Sequence, residues 1–170
     1  MKLLPLLAMA SITLSAHASN PASAYQPLWQ SVGSGTLKVM FWRIYTARLY
    51  SDNGQFGRNE ALKLSLTYHR EIEGQQLWQA TDEQWQRLGF ASGAHSNWLN
   101  QYQHCFPDVN KGDTLSFIWQ SDGSAEFHFN HRSLCQLPVD ACNRDFLEIW
   151  LSSDSAYPEM TAQLINRSNQ

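Results

Sequence analysis

Hydrophobic and polar residues alternate along several segments of the chain, and this period of two predicts β-strands. Residues 62–68 alternate between leucine or tyrosine and polar side chains, as expected for a strand with one buried face. Two further alternating runs, residues 115–119 and 125–129, flank an Asp122-Gly123 turn sequence, which is a strong hairpin signal. Residues 36–50 are rich in β-branched and aromatic side chains, so we predict one continuous strand there.

Apolar residues spaced three or four positions apart predict helices in the remaining segments. One helix is predicted to follow Gly93 and to end before Pro107. Two more are predicted over residues 140–152 and 158–167, separated by a polar break. Proline is acceptable at the first position of a helix, and Pro158 therefore marks the start of the last one.

Two weaker local signals complete the predicted layout. Thr81 and Gln84 have the spacing of a capping box, so Thr81 is predicted to start or restart a helix. A short last strand is predicted over residues 132–137. The resulting order of strands and helices favours an α+β fold, in which helices gather on one face of an antiparallel sheet.

The N-terminal segment predicts secretion. Lys2 is followed by an apolar, uncharged run over residues 3–14 and by Ala16-His17-Ala18, which has the small-x-small pattern of a signal peptidase site. This run is shorter than the ~20 residues that span a bilayer. We therefore expect a signal peptide over residues 1–18, cleavage after Ala18, a single domain over residues 19–170, and a periplasmic location.

Composition excludes several classes of protein. Hydrophobic residues make up 43% of the chain and aromatic residues 12%, which is incompatible with a disordered chain. The chain has 12 basic and 15 acidic residues, a formal net charge of −3. Because no basic stripe is present, the sequence argues against binding to nucleic acid and to anionic membrane surfaces.

Three cysteines in an oxidising compartment predict one disulfide and one remaining thiol. Cys135 and Cys142 flank Leu137-Pro138, a predicted turn, and are the favoured pair. A bond from Cys105 to either of them is the alternative. The absence of a CxxC spacing argues against a zinc site, and neither a metal nor a cofactor is predicted.

The order of these segments resembles the chalcone isomerase family, in particular its secreted bacterial relatives. The similar motifs are Tyr45-Thr46-Ala47-Arg48-Leu49-Tyr50, Pro107-Asp108-Val109 followed by Gly112-Asp113, and Ile149-Trp150-Leu151. The similarity covers most of residues 33–164. It implies an open-faced β-sandwich of chalcone isomerase type, with a large antiparallel sheet, helices packed on one face, and a ligand cleft between sheet and helices.

The catalytic residues of the plant enzymes are mostly missing from this sequence. The family expects an arginine before the first strand, but residues 31–35 contain none. The expected threonine of the next strand falls near Arg43, residues 73–90 contain neither Tyr nor Asn, and the expected late threonine falls at Ile149. An isoleucine side chain cannot form hydrogen bonds, so the resemblance implies a fold that has lost this chemistry.

Four residues are candidates for ligand binding. Arg43 lies in an apolar segment, where its guanidinium group would suit a ligand carboxylate or phenolate; the alternative is a surface arginine or one paired with a nearby glutamate. Tyr45 would lie on the same side of a continuous strand. Trp98 and Tyr102 would stack on an aromatic ligand, although core packing is the simpler interpretation.

Three functional classes remain open. The first is a non-catalytic protein that binds a small apolar or amphipathic molecule, such as a fatty acid or aromatic acid, as some plant relatives do. The second is an enzyme of the isomerase or lyase kind with a rearranged site around Arg43 and Tyr45. The third is an envelope protein that acts through a protein partner. An enclosed apolar cavity with one or two polar groups would favour the first.

Overall fold

The computed structural model describes residues 28–57 and 59–166. The signal peptide predicted over residues 1–18 lies outside the described residues. Among the described residues, no helix is both long enough and apolar enough to cross a bilayer.

Within residues 28–57 and 59–166, six strands form one antiparallel sheet in which each strand pairs with its neighbours in the sequence. The strands are β1 (Gln30–Val39), β2 (Trp42–Ser51), β3 (Leu62–Tyr68), β4 (Thr114–Trp119), β5 (Ala125–Phe129) and β6 (Arg132–Leu137). The strand predicted over residues 62–68, the hairpin around Asp122-Gly123 and the short last strand are confirmed.

The register aligns apolar side chains into rows on one face of the sheet. Leu49, Leu64, Phe117 and Phe127 are directly opposite one another on β2 to β5, and all four are buried. Because successive side chains of a strand point to opposite faces, the other face carries Thr46, Thr67 and similar polar residues. The alternation seen in the sequence therefore separates a core face from a polar face.

In the described part of the chain, four α-helices cover the apolar face of the sheet. They are α1 (Gly74–Arg87), α2 (Gly93–Gln101), α3 (Ala141–Leu151) and α4 (Pro158–Leu164), with a short 3-10 helix, Gln103–Cys105, after α2. The last two helices are confirmed within three residues at their ends. The helix after Gly93 is also confirmed, but it ends at Gln101 and is followed by the 3-10 helix before Pro107.

Tryptophan side chains fix the helices to one another and to the sheet. The indole nitrogen of Trp78 on α1 donates to the Leu99 carbonyl oxygen on α2 at 2.9 Å. Trp85 on α1 donates to the Asp145 carbonyl oxygen on α3 at 3.0 Å. Each indole N–H therefore has a hydrogen-bond partner inside the protein, which keeps the cost of desolvation small. The helical layer is thus held by directional bonds as well as by apolar packing.

The single strand predicted over residues 36–50 is wrong. The chain reverses at Met40 and Phe41, and Val39 pairs with Trp42 across a two-residue turn. The usual turn residues glycine, asparagine and proline are missing here, so the sequence carries no turn signal; Met40 nevertheless adopts a φ of 55°. Strand β1 also begins earlier than predicted, at Gln30.

The helix start predicted at Thr81 is also wrong. Helix α1 begins at Gly74, about two turns earlier. The Glu73 amide donates to the Gln76 side chain at 3.1 Å, and the Gly74 amide donates to Asp108 at 2.7 Å. Thr81 lies within the helix, where its hydroxyl donates to the Leu77 carbonyl oxygen. A capping-box spacing inside a continuous helix therefore gave a false start signal.

The predicted pairing of Cys135 with Cys142 is wrong as well. Cys105, in the 3-10 helix, is bonded to Cys135 on β6, and their Cα atoms are 5.9 Å apart. Cys142 is a free, buried thiol in the first turn of α3, where its amide donates to the Asp140 cap. The disulfide therefore ties the helical layer to the last strand, a contact that sequence spacing could not reveal.

Candidate functional site

A cavity of about 190 Å³ lies between the β1–β3 part of the sheet and the helices. Most of its lining is apolar. The lining residues are Leu37, Ile44, Tyr45, Leu66, Tyr68, Ile72, Gln76, Leu77, Ala80, Thr81, Gln84, Phe106, Leu115, Phe146, Ile149, Trp150 and Tyr157.

Helix α1 forms one wall of this cavity. Gln76, Ala80 and Gln84 are four residues apart and therefore lie on one face of the helix, which faces the cavity. The start of α1 packs closely against the segment before β4, because a Cβ atom on Gly74 would lie 2.0 Å from the Phe106 carbonyl oxygen. Glycine at this position allows the helix to approach Phe106, itself a lining residue.

The polar side chains of the lining include Gln76, Thr81, Gln84 and three tyrosines, of which Tyr45 and Tyr68 are buried. The indole N–H of Trp150 donates to the Tyr45 hydroxyl oxygen at 2.9 Å, which leaves the Tyr45 hydroxyl hydrogen available. The Tyr68 hydroxyl has no hydrogen-bond partner among the residues that the structure describes. The two rings are 5.9 Å apart in an edge-on arrangement. The two tyrosines therefore offer two hydroxyl donors for a ligand oxygen.

These tyrosines are neutral donors rather than bases. Burial raises the pKa of Tyr45 far above its ordinary value, and the nearby Tyr157 adds to the effect while the bond from Trp150 opposes it. Burial also raises the pKa of Tyr68, with a further contribution from Tyr45. Deprotonation at physiological pH is thus strongly disfavoured for both hydroxyl groups.

No acidic or basic side chain is among the lining residues that the structure describes. A carboxylate buried here would have no cation to compensate for its lost hydration, which is costly. The lining therefore suits a neutral oxygen, such as a phenol, an alcohol, a carbonyl group or a protonated carboxylic acid. Among the described lining residues there is also no carboxylate, histidine or lysine to act as the general base that proton abstraction from a substrate would require.

The cavity volume limits the size of a ligand. At about 190 Å³, the cavity exceeds the ~150 Å³ engineered cavity that admits benzene. It is smaller than the ~300–1,000 Å³ typical of sites for drug-sized molecules. In this conformation it accommodates a small aromatic molecule or a short chain, and a long acyl chain would require its walls to move apart.

Tyr45 and Arg43 do not lie together, contrary to the simple strand prediction. Tyr45 lines the cavity, whereas Arg43 is exposed and does not. The register shifts at this point: Leu37 pairs with Tyr45 and Lys38 with Arg43, which leaves Ile44 as an extra residue. Such a bulge breaks the alternation of faces, and it brings Ile44 into the lining instead.

Trp98 and Tyr102 lie in the aromatic core and not at the cavity. Trp98 is 2% exposed, its indole N–H donates to the Asn143 side chain at 2.9 Å, and its ring stacks with Phe146. Tyr102 packs edge-on against Trp98. Their helical spacing reflects core packing, which was the simpler of the two interpretations.

Sequence reasoning did not identify Tyr68, Trp150 or Tyr157 as site residues. Tyr68 is the last member of the alternating run on β3, so its inward orientation was predictable. Its position beside Tyr45 was not, because it depends on the pairing of β2 with β3. Trp150 was assigned only to a buried helix. Ile149, at the expected threonine position, does line the cavity.

A possible metal cluster in the described part of the chain is occupied by the disulfide. The ligand atoms of His104, Cys105 and Cys135 lie within 4.8 Å of one another. Both sulfur atoms are joined to each other, and metal ligation requires thiolates. The oxidised protein therefore offers only His104 at this position.

Comparisons with known proteins agree with this architecture. A protein of Haemophilus influenzae without a characterised function is 28% identical over 142 residues, which cover 82% of this chain and 69% of that protein. The crystal structure of a fatty-acid binding protein of Arabidopsis thaliana superimposes with a TM-score of 0.66 and 10% identity, covering 88% of this chain and 92% of that one. At this identity the likeness shows a shared fold.

The sequence itself identifies the family. A model of the chalcone isomerase-like family matches residues 29–165, a range that includes every strand and helix described above. The α+β open-faced architecture and the family resemblance inferred from the sequence are both confirmed. This chain belongs to the chalcone isomerase-like family.

Proposed function

We propose that this protein is a periplasmic, non-catalytic binding protein that holds a small apolar or amphipathic molecule in the cavity lined by Tyr45 and Tyr68. The observation that carries the proposal is a mostly apolar cavity whose polar lining groups, in the described part of the chain, are all uncharged and include the buried hydroxyls of Tyr45 and Tyr68. Such a combination of apolar walls and a few placed donors is typical of small-molecule sites.

Membership of the family and the structural neighbour support a binding role. The neighbour is described as a fatty-acid binding protein, and a ligand with a single polar end is the class that we transfer to this chain. The uncharged lining favours ligands whose polar end is neutral. A phenol or another small aromatic molecule fits the cavity volume better than a long-chain fatty acid, and an aromatic acid would bind in its protonated form.

The enzymatic alternative finds less support. An isomerase or lyase site around Arg43 and Tyr45 would bring both side chains to the substrate, but Arg43 does not line the cavity. General acid–base catalysis also works best with a pKa near the working pH, and burial moves the pKa of both cavity tyrosines away from it.

Native mass spectrometry of protein purified from its own compartment tests the proposal. We expect a fraction of the protein to carry extra mass from a small, uncharged or singly acidic molecule, which is released on denaturation. The same spectra report whether the N-terminal 18 residues have been removed. Protein that carries no small molecule, and that binds none from a panel of phenols and acids, would contradict the proposal.

A further inference from the structure

The turn between β1 and β2 carries four consecutive exposed apolar side chains. The exposed fractions are 47% for Val39, 84% for Met40, 94% for Phe41 and 67% for Trp42. We call these residues, 39–42, the hairpin tip. Contiguous exposed apolar surface of this kind is typical of interaction sites, whereas single exposed apolar residues need no explanation.

The geometry of the turn does not require these residues. Met40 has a φ of 55°, a conformation that glycine or asparagine adopts at lower cost. Two-residue hairpin turns usually carry such small or polar residues. The large apolar side chains of Met40 and Phe41 are therefore neither required by the turn nor packed in the protein core.

Two cations lie next to the hairpin tip, on the side of the rest of the sheet. Lys38 and Arg43 are opposite each other in the register, immediately next to the pair formed by Val39 and Trp42. Both are exposed, and among residues 28–57 and 59–166 neither has a carboxylate within salt-bridge distance. Their positive charges are therefore available to interact with negative charges on a partner.

A third cation lies at the same end of the sheet. This cation is Lys111: the amide of the next residue, Gly112, donates to the Tyr68 carbonyl oxygen at 2.9 Å, and the His69 amide donates to the carbonyl oxygen of Ile44, the neighbour of Arg43, at 2.9 Å. Burial lowers the pKa of His69, and the charges of Arg43 and Lys111 lower it further. The whole chain has a formal net charge of −3, from which the sequence argued against anionic membrane surfaces. The charged residues nearest to the hairpin tip in the strand register, Lys38 and Arg43, are nevertheless both positive, and screening weakens the influence of acids more than about 10 Å away.

We propose that the hairpin tip inserts into the surface of a lipid bilayer that contains anionic phospholipids. Along the axis of the hairpin, apolar side chains come first and cations second, which is the order of hydrocarbon and phosphate in a bilayer. A tryptophan such as Trp42 suits the interface between them. Interfacial segments bury their apolar side about 5–10 Å deep, a depth that a two-residue turn and its flanking pair can reach.

The hairpin tip also adjoins the cavity. Leu37 on β1 and Ile44 on β2, which flank the tip, are both lining residues. Docking of the tip would bring the bilayer close to the cavity. The membrane contact does not depend on this proximity, because it uses residues that the cavity does not.

Flotation with lipid vesicles tests the proposal. Vesicles of phosphatidylethanolamine with phosphatidylglycerol are mixed with wild-type protein and with the double variant Met40→Gly/Phe41→Ser, whose turn sequence suits a positive φ at position 40. We expect the variant to fold normally and its vesicle-bound partition to fall at least about tenfold, given the apolar area removed. All variants share the same N-terminal segment, so the difference between them reports the tip.

Matched controls separate insertion from general stickiness and general charge. Val139→Ser removes an apolar side chain that is 67% exposed elsewhere and should leave the partition unchanged. Arg43→Gln should weaken binding to anionic vesicles about fivefold, whereas Arg48→Gln, on the same strand but further from the tip, should have a much smaller effect. Neutral vesicles should not distinguish these two variants.

Depth-dependent quenching gives an independent measurement. Lipids brominated on their acyl chains should quench the fluorescence of the wild type more than that of Trp42→Phe, while both proteins bind vesicles equally. The proposal is overturned if wild-type protein does not float with the vesicles, or if the double variant floats as well as the wild type. It is equally overturned if sedimentation shows that the tip instead joins two copies of the chain.

Discussion

Tyr45 and Tyr68 face the same cavity, but their hydroxyl groups differ in what they already bind. The Tyr45 oxygen accepts the Trp150 indole N–H, so this hydroxyl contributes to the fold as well as to the cavity. The Tyr68 hydroxyl has no partner within the described parts of the chain. Substitution of each by phenylalanine therefore separates a structural role from a ligand-binding role.

We expect Tyr68→Phe to leave the free energy of unfolding unchanged or slightly raised, because it removes a hydroxyl that forms no bond in the protein. The affinity for a phenolic ligand should fall about two- to tenfold, the effect of one net hydrogen bond. Tyr45→Phe should lower stability by about 1–3 kcal/mol, since it leaves the Trp150 N–H buried and unpaired. Urea unfolding with ligand titration measures both effects, and identical behaviour of the two variants would contradict this division of roles.

The buried thiol of Cys142 makes the stability of the protein depend on pH. Burial raises the pKa of its thiol to about 12, and the nearby carboxylates of Asp140 and Asp145 contribute. Above about pH 9 the thiol of the unfolded chain loses its proton while that of the folded protein keeps it. The folded state is therefore disfavoured as the pH rises from about 9 to 12, by up to about 1.4 kcal/mol per pH unit.

We expect the free energy of unfolding of the wild type to fall more steeply between pH 9 and 11 than that of Cys142→Ala. The comparison cancels the contribution of the tyrosines, which both proteins share. At pH 7.5 the native thiol should resist alkylation and react only after unfolding in urea. Parallel stability curves for the two proteins would show that the thiol is not buried as described.

At the scale of elements, the predictable features were those with a local physical signal. Strand β3 and the hairpin of β4 and β5 follow from alternation and from the Asp122-Gly123 turn. The turn at Met40 was missed because its residues suit strands, and the reversal is fixed by pairing of β1 with β2. Gly33 precedes the strand predicted over residues 36–50. It lies within β1, where a Cβ atom would be 2.2 Å from the Gln163 carbonyl oxygen.

The disulfide joins the 3-10 helix to β6, and its contribution to stability follows from the length of the loop that it closes. Cys105 and Cys135 are 30 residues apart, for which restriction of the unfolded chain corresponds to about 3–4 kcal/mol. We expect Cys105→Ala/Cys135→Ala to lower the free energy of unfolding by this amount, so that the variant unfolds at a lower urea concentration than the wild type. Cys142→Ala is the matched control and should retain one intact disulfide by mass. Loss of the disulfide in that control would contradict the Cys105–Cys135 bond and support the pairing of Cys135 with Cys142 that the sequence favoured.

At the scale of the whole molecule, the cavity is formed by residues from distant parts of the chain. The family resemblance predicted a cleft between sheet and helices, and the missing catalytic residues indicated that its chemistry would differ. Individual lining residues were harder to predict, because a bulge at Ile44 moves Arg43 out of the cavity and strand pairing brings Tyr68 into it. Such features depend on contacts between elements, which no local pattern encodes.

Occupation of the cavity is tested most directly by blocking it from α1. Ala80 lines the cavity, whereas its neighbour Gln79 does not, and both residues are exposed, so Ala80→Trp and Gln79→Trp add the same large ring at two faces of one helix. Isothermal titration calorimetry with a small phenol such as 2-naphthol should show binding to the wild type and to Gln79→Trp. Ala80→Trp should bind at least about tenfold more weakly while remaining folded, since the ring fills space that the ligand needs. Equal binding by both tryptophan variants would place the ligand elsewhere and contradict the proposed function.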